Sequence, residues 1–99
     1  MAAYKLTNKA VDDLNQIWEY TFNKWSEQQA DNYYNLLLDG CQIIADNPGF
    51  GKNYDGVKRE LFGVKTNRHI IFYRKILDKY VEITRILHER MDLKSRLSE

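Results

Sequence analysis

His88 lies between two arginines in the segment Arg85-Ile86-Leu87-His88-Glu89-Arg90-Met91-Asp92. A histidine titrates near neutral pH and can take or give a proton. Guanidinium groups hold phosphate oxygens. Together these suit RNA cleavage. A base takes the 2′-hydroxyl proton, an acid protonates the leaving oxygen, and cations hold the phosphate. Arg59, Arg74 and Lys75 are further cations in reach of such a site. For this chemistry the catalytic candidates are His88, Arg85 and Arg74. Glu89 works against it, since a carboxylate beside the site repels phosphate. The plainer alternative for His88 is a rim histidine satisfied by solvent or backbone.

Other chemistries lack their residues. A structural zinc site wants four Cys or His ligands. The chain offers Cys41, His69 and His88, so no metal and no cofactor is expected. There is no Walker-type phosphate loop, and Gly49-Phe50-Gly51 reads as a turn rather than a dinucleotide fingerprint. Ser26 reads as a helix cap, and Ser95 and Ser98 lie near the C-terminus, which leaves acyl transfer without a nucleophile.

These side chains need a scaffold, and the apolar spacing supplies one. Residues 2–6 alternate like a strand. Thr7 or Asn8 can cap a helix whose stripe is Ala10, Leu14, Ile17, Trp18 and Thr21. Asp12 and Asp13 sit where the helix dipole favours negative charge, and the helix should end near Asn23. Ser26-Glu27-Gln28-Gln29 is a capping box. It opens a second helix that buries Ala30, Tyr33, Tyr34, Leu37, Cys41 and Ile44. Asn47-Pro48-Gly49-Phe50-Gly51 stops it. From Val57 the period changes to two. Strands are expected at Val57–Phe62, His69–Ile76 and Tyr80–Leu87, with a tight turn at Leu77-Asp78-Lys79. Ile70, Phe72 and Ile76 share one face of the second strand, and Ile71 and Tyr73 the other. On the third strand Val81, Ile83 and Leu87 share a face. The fold class is α+β. A short N-terminal strand and a helical hairpin pack on a C-terminal antiparallel β-meander. Arg74 and Arg85 share the parity of Phe72 and Ile83, so each must be paired, reach the rim, or face a partner.

The chain has 99 residues, 43% hydrophobic and 13% aromatic, which fits one domain over residues 1–99 and argues against disorder. Cys41 is the only cysteine, so no internal disulfide can form. The N-terminus lacks a charged leader followed by an apolar stretch. No apolar run approaches the roughly 18 residues that span a bilayer. A cytoplasmic protein with no membrane partner is expected. Net charge is only +1, but residues 57–79 hold seven cations against two carboxylates, while residues 1–56 hold four against eight. A basic middle suits an acidic partner or nucleic acid, although a solvated basic face is the plainer reading.

Leu6-Thr7, Ala10, Asp13-Leu14, Ile17-Trp18, Tyr20, Ala30, Tyr33-Tyr34, Asn47-Pro48 and Gly51 occur in that order, followed by His69-Ile70-Ile71-Phe72-Tyr73-Arg74 and the Arg85–Asp92 segment. In order and spacing, from about residue 5 to 93, this resembles the ParE-type toxins of the RelE/ParE toxin–antitoxin superfamily. The resemblance implies that superfamily's hairpin-on-sheet fold. It implies the toxin half of a type II pair that inhibits DNA gyrase, and so replication, without being an enzyme. It also implies a ParD-type antitoxin partner, with nucleic acid met only through gyrase or the antitoxin. RelE-type relatives cut messenger RNA in the ribosome, with basic residues and often a tyrosine near the C-terminus. Here Glu89 follows His88 and no tyrosine follows Tyr80, which favours the gyrase reading. An mRNA endonuclease and a non-toxic antitoxin binder remain the alternatives. Candidate target contacts are Arg74, Arg85, His88, Arg90, Met91 and Asp92. Candidate antitoxin contacts are Ile71, Tyr73 and Ile86, on a sheet face expected to be open, with Trp18 and Tyr34. Residues 88–99 hold few core candidates (Met91, Leu93 and Leu97). Truncation after Leu87 is therefore expected to spare the fold and antitoxin binding while removing toxicity.

Overall fold

The structure, a computed structural model, describes residues 2–97. The elements run β1 (Ala3–Leu6), α1 (Asn8–Lys24), α2 (Glu27–Asp46), β2 (Lys52–Asn53), β3 (Phe62–Thr66), β4 (His69–Leu77), β5 (Tyr80–His88) and α3 (Leu93–Leu97), with a one-turn 3-10 helix at Pro48–Phe50. The five strands form one mixed sheet in the order β1-β5-β4-β3-β2. Strands β2 to β5 pair antiparallel, while β1 returns alongside β5 in parallel.

The helix caps follow the sequence. Thr7 Oγ1 accepts the Ala10 N–H at 3.1 Å, and Ser26 Oγ accepts that of Gln29 at 3.1 Å. Each satisfies an amide that the first turn leaves unpaired. Thr7 also ties the helix to the sheet. Its hydroxyl donates to Thr84 O at 2.8 Å and its amide to Ile83 O at 3.0 Å.

The expected strand at Val57–Phe62 is corrected. Residues 55–60 form turns, and the strand begins at Phe62. Local hydrogen bonds outcompete pairing there. Asn53 Oδ1 accepts the Asp55 N–H and Asp55 Oδ1 that of Glu60, both at 2.7 Å, and Glu60 adopts φ 59°. Further on, Gly63 is required by its neighbours. A Cβ there would come within 2.8 Å of the Tyr54 ring, which packs edge-on to Phe72 at 5.1 Å.

Two irregularities re-aim β4 and β5. Leu77 pairs with Tyr80 and His69 with His88, as an unbroken hairpin would have it. Between them Tyr73 pairs with Ile83 and Phe72 with Arg85, so Ile76 on β4 and Thr84 on β5 are extra residues. Each bulge reverses the parity that follows it. Arg85 therefore leaves the face of Ile83 and joins that of Phe72, while Ile86 takes the Ile83 side.

Both faces of the sheet are covered. Under the hairpin lie Ile71, Tyr73, Val81, Ile83 and Ile86, packed with Ala10, Leu14, Leu37, Cys41 and Ile44. Tyr73 also holds the chain after α2. Its hydroxyl donates to Pro48 O at 2.6 Å and accepts the Gly51 N–H at 3.0 Å. On the far face Leu61, Ile70, Phe72 and Leu87 pack with Leu97, which is 3% exposed, and with Tyr54 and Leu93. The tail after Leu87 thus supplies core, which corrects the expectation that truncation there would spare the fold.

Candidate functional site

Strand β1 ends at Leu6, but β5 runs on to His88, so the outer edge of β5 past Ile83 has no neighbouring strand. Helix α1 fills that place with one side chain. Asp13 Oδ2 accepts the Ile86 N–H at 2.9 Å, and the Asp13 carboxylate takes the Arg85 guanidinium in a fork at 2.9 and 3.1 Å. Both side chains are largely buried, at 10% and 13% exposure. Arg85 Nη1 also donates to Arg96 O at 3.0 Å, which ties α3 to the sheet. Arg85, expected as a target contact, is thus a structural arginine, and Asp13 does more than favour a helix dipole.

Beside this pair a groove of about 1280 Å³ opens between the hairpin and the His69–His88 end of the sheet. His69 and His88 are directly paired in register, with rings 5.2 Å apart at 82°. Tyr33, from α2, shares a 2.6 Å hydrogen bond with His69 Nδ1. Burial, and then the neighbouring His88, push the His69 pKa down from 6.5 to about 4, and burial pushes the Tyr33 hydroxyl up. Both groups are therefore uncharged at neutral pH. The Arg90 N–H donates to His88 Nδ1 at 3.1 Å, so that ring nitrogen is engaged as an acceptor by the backbone.

Glu89 turns out to be diverted. Lys65 sits opposite Ile70, on the far face, and meets the Glu89 carboxylate at 2.9 Å. The Lys65 hydrogen bond is the main cause holding the Glu89 pKa below its ordinary value.

The candidates named from sequence separate into groups. His88, Arg90 and Met91 line the groove. Arg74 is on the far face, 3.6 Å from Glu60, in a smaller cavity with Lys9 and Lys58. Asp92 accepts the Ser95 N–H at 3.3 Å and the Arg96 N–H at 3.0 Å, which starts α3. Ile71 and Tyr73 are 0% exposed and Ile86 is 2%, so the open landing face expected for them is corrected to core. The hairpin covers it. Trp18 and Tyr34 are half-buried on the hairpin. Trp18 stacks on Phe22 at 5.2 Å and donates to Asp31 Oδ1 at 2.9 Å. Sequence reasoning missed Tyr33, His69 and Arg68 as site residues. The signal was available: in a hairpin turning at Asp78-Lys79, position 69 falls opposite 88.

The neutral His69 carries a pH consequence. Between about 6.5 and about 4 the unfolded chain takes up a proton at this position that the folded chain does not. Stability should therefore fall as pH drops through that window. Urea midpoints measured from pH 7 to pH 4.5 should decline, and His69→Gln should flatten the decline. An equal slope in both proteins would refute the assignment.

The same architecture is found in a solved structure, "Chromosomal ParDE TA system from P. aeruginosa". Its TM-score is 0.75 at 17% identity, over 89% of this chain and 96% of that one. The class is thus a hairpin-on-sheet protein of the ParDE fold. The sequence comparisons narrow it further. Residues 4–93 match the family model for the ParE toxin of type II toxin–antitoxin systems, parDE, and the chain belongs to that family. It is 32% identical to Toxin ParE1 of Caulobacter vibrioides, over 98% of this chain and 99% of the relative. It is 30% identical to Toxin ParE1 of Mycobacterium tuberculosis over 95% and 96%, and 32% identical to Toxin ParE of Escherichia coli over 100% and 96%.

Among the described residues no group of three or more His, Cys, Asp or Glu side chains converges as metal ligands. No helix there is long and apolar enough to cross a membrane.

Proposed function

We propose that this ParE-family toxin acts in the cytoplasm by inhibiting DNA gyrase, as a binding inhibitor and not an enzyme, and that a ParD-type antitoxin neutralises it. The observation that carries the reading is the family match across residues 4–93. The site geometry supports it over RNA cleavage. His88 Nδ1 already accepts the Arg90 amide, so that nitrogen is not open to take a 2′-hydroxyl proton. Arg74 and Arg85, the cations such a cleavage would have used, are both engaged, Arg74 by Glu60 on the far face and Arg85 by Asp13 at the β5 edge. The exposed residues at the groove end, Arg90 and Met91, are the stronger target contacts. For the antitoxin, Trp18 remains in play. It continues an outward α1 stripe with exposed Val11 and Phe22, which an apolar segment of a partner can cover.

The test is a supercoiling and DNA-cleavage assay with purified gyrase, with and without the cognate antitoxin. Toxin should block supercoiling or accumulate cleaved DNA, and antitoxin should restore normal turnover. Undisturbed supercoiling at large toxin excess removes gyrase as the target. Cut transcripts in arrested cells, lost on His88→Ala, would install the nuclease instead.

A further inference from the structure

Three cations line the groove: Lys24 at the end of α1, Arg68 in the β3–β4 turn, and Arg90 past β5. Among the described residues neither Arg68 nor Arg90 forms a salt bridge, and Lys24 rests against the Tyr20 ring at 5.5 Å. The one lining carboxylate is Asp13, already held by Arg85 and the Ile86 amide. The groove is therefore cationic, with the Glu89 carboxylate, held by Lys65, close enough at its edge to interact with Arg68. Two large rings are exposed in the groove, Trp25 at 64% and Tyr20 at 62%, and Lys24 lies over the Tyr20 ring and donates to its hydroxyl at 3.2 Å. Exposed aromatic rings beside cations are the combination that single strands use. Phosphates meet the cations, and bases of any sequence stack on the rings.

We propose that this groove binds a single-stranded polynucleotide, with phosphates at Arg68, Arg90 and Lys24 and bases stacked on Trp25 and Tyr20. Asn32, Asn67 and Gln29 also line it and offer amides to base edges. His88 Nδ1 is already taken by the Arg90 amide and His69 Nδ1 by the Tyr33 hydroxyl, so what is proposed is a strand that is held. A duplex keeps its bases stacked on one another and has no free ring face to offer. This goes beyond the expectation that nucleic acid is met only through gyrase or the antitoxin, and it does not require gyrase as the target.

The test uses the full chain and a labelled mixed-sequence oligonucleotide of about 12 nucleotides, a length within the usual site sizes. Anisotropy is read for the DNA and RNA versions from about 50 to 200 mM salt. Saturable binding is expected, with log affinity falling against log salt at a slope near −2, from three cations at about 0.7 each. Arg68→Ala and Arg90→Ala should each weaken binding and reduce the slope by about 0.7. Trp25→Ala should weaken it by about fivefold or more, from the lost stacking. Lys9→Ala, in the far-face cavity, should leave it unchanged. All four side chains are exposed, so matching thermal melts should confirm intact folds. Tighter DNA binding points to opened duplex as the source, and tighter RNA binding to transcripts. The proposal is overturned if neither strand binds, if the groove variants bind like the parent, or if duplex binds as tightly. It is also overturned if an acidic amphipathic peptide binds this groove more tightly than either oligonucleotide.

Discussion

Asp13→Ala should remove about 3–5 kcal/mol of folding stability, the usual cost of stripping one partner from a buried ion pair. The side chain serves two groups at once. It neutralises the Arg85 guanidinium, 13% exposed, and it accepts the Ile86 N–H at the point where β5 loses its neighbouring strand. Alanine leaves a cation and an amide without an acceptor in a place water reaches poorly. Against a total of the order of 5–15 kcal/mol, that is a large share. Asp13→Asn should cost less, because its carbonyl can still accept the Ile86 amide while the charge is lost. Adding Arg85→Met to Asp13→Ala should recover part of the loss by removing the stranded charge. The recovery should stay incomplete, since the amide remains. Urea denaturation of the four proteins reads all of this. An unchanged midpoint for Asp13→Ala would show that the pair is solvated and that the edge closes by other means.

The same aspartate marks where the sequence stopped being informative. Local features were legible: Thr7 and Ser26 as caps, the turn after Asp46, the hairpin itself, and the strands around Ile71 and Ile83. Each rests on a rule that reaches only a few residues. The parallel β1–β5 pairing was not legible, because nothing in residues 3–6 states which strand they join. The faces of β5 were misread for a definite reason. One extra residue at Thr84 reverses the alternation, so period-two counting assigned Leu87 and Ile86 to each other's sides. From that followed the mistaken open face at Ile71, Tyr73 and Ile86. The groove is an intermediate case. His88, Arg90 and Met91 were visible as a cluster in sequence, but their partners Tyr33 and Arg68 come from elements that only pairing and packing bring alongside. Glu89 shows the opposite failure. Adjacency to His88 suggested electrostatic interference as its main role, yet in the turn past β5 its carboxylate is held first by Lys65.

A chain ending at Leu87 is expected to lose its native packing. Residues 88–97 cover the far face, and without them Leu61, Ile70, Phe72 and Leu87 stand open to water. Polar contacts go with the apolar ones, the Lys65–Glu89 ion pair among them. Arg85 loses Arg96 O, Lys58 loses Leu97 O at 3.1 Å, and Arg68 O loses the Glu89 N–H at 2.9 Å. Leu97 alone, at 3% exposure, should be worth about 2–5 kcal/mol as Leu97→Ala in the full chain. The complete truncation should exceed that, because it removes Leu93 as well and leaves a continuous apolar patch that favours association. The shortened chain should be insoluble, or soluble with a broad, weakly cooperative melt. Loss of toxicity on truncation would then report unfolding rather than a missing contact. Met91→Ala separates the two effects, because Met91 is exposed in the groove and outside both core clusters. A sharply melting, soluble chain ending at Leu87 would show that the far face tolerates water and that the tail is there for the target alone.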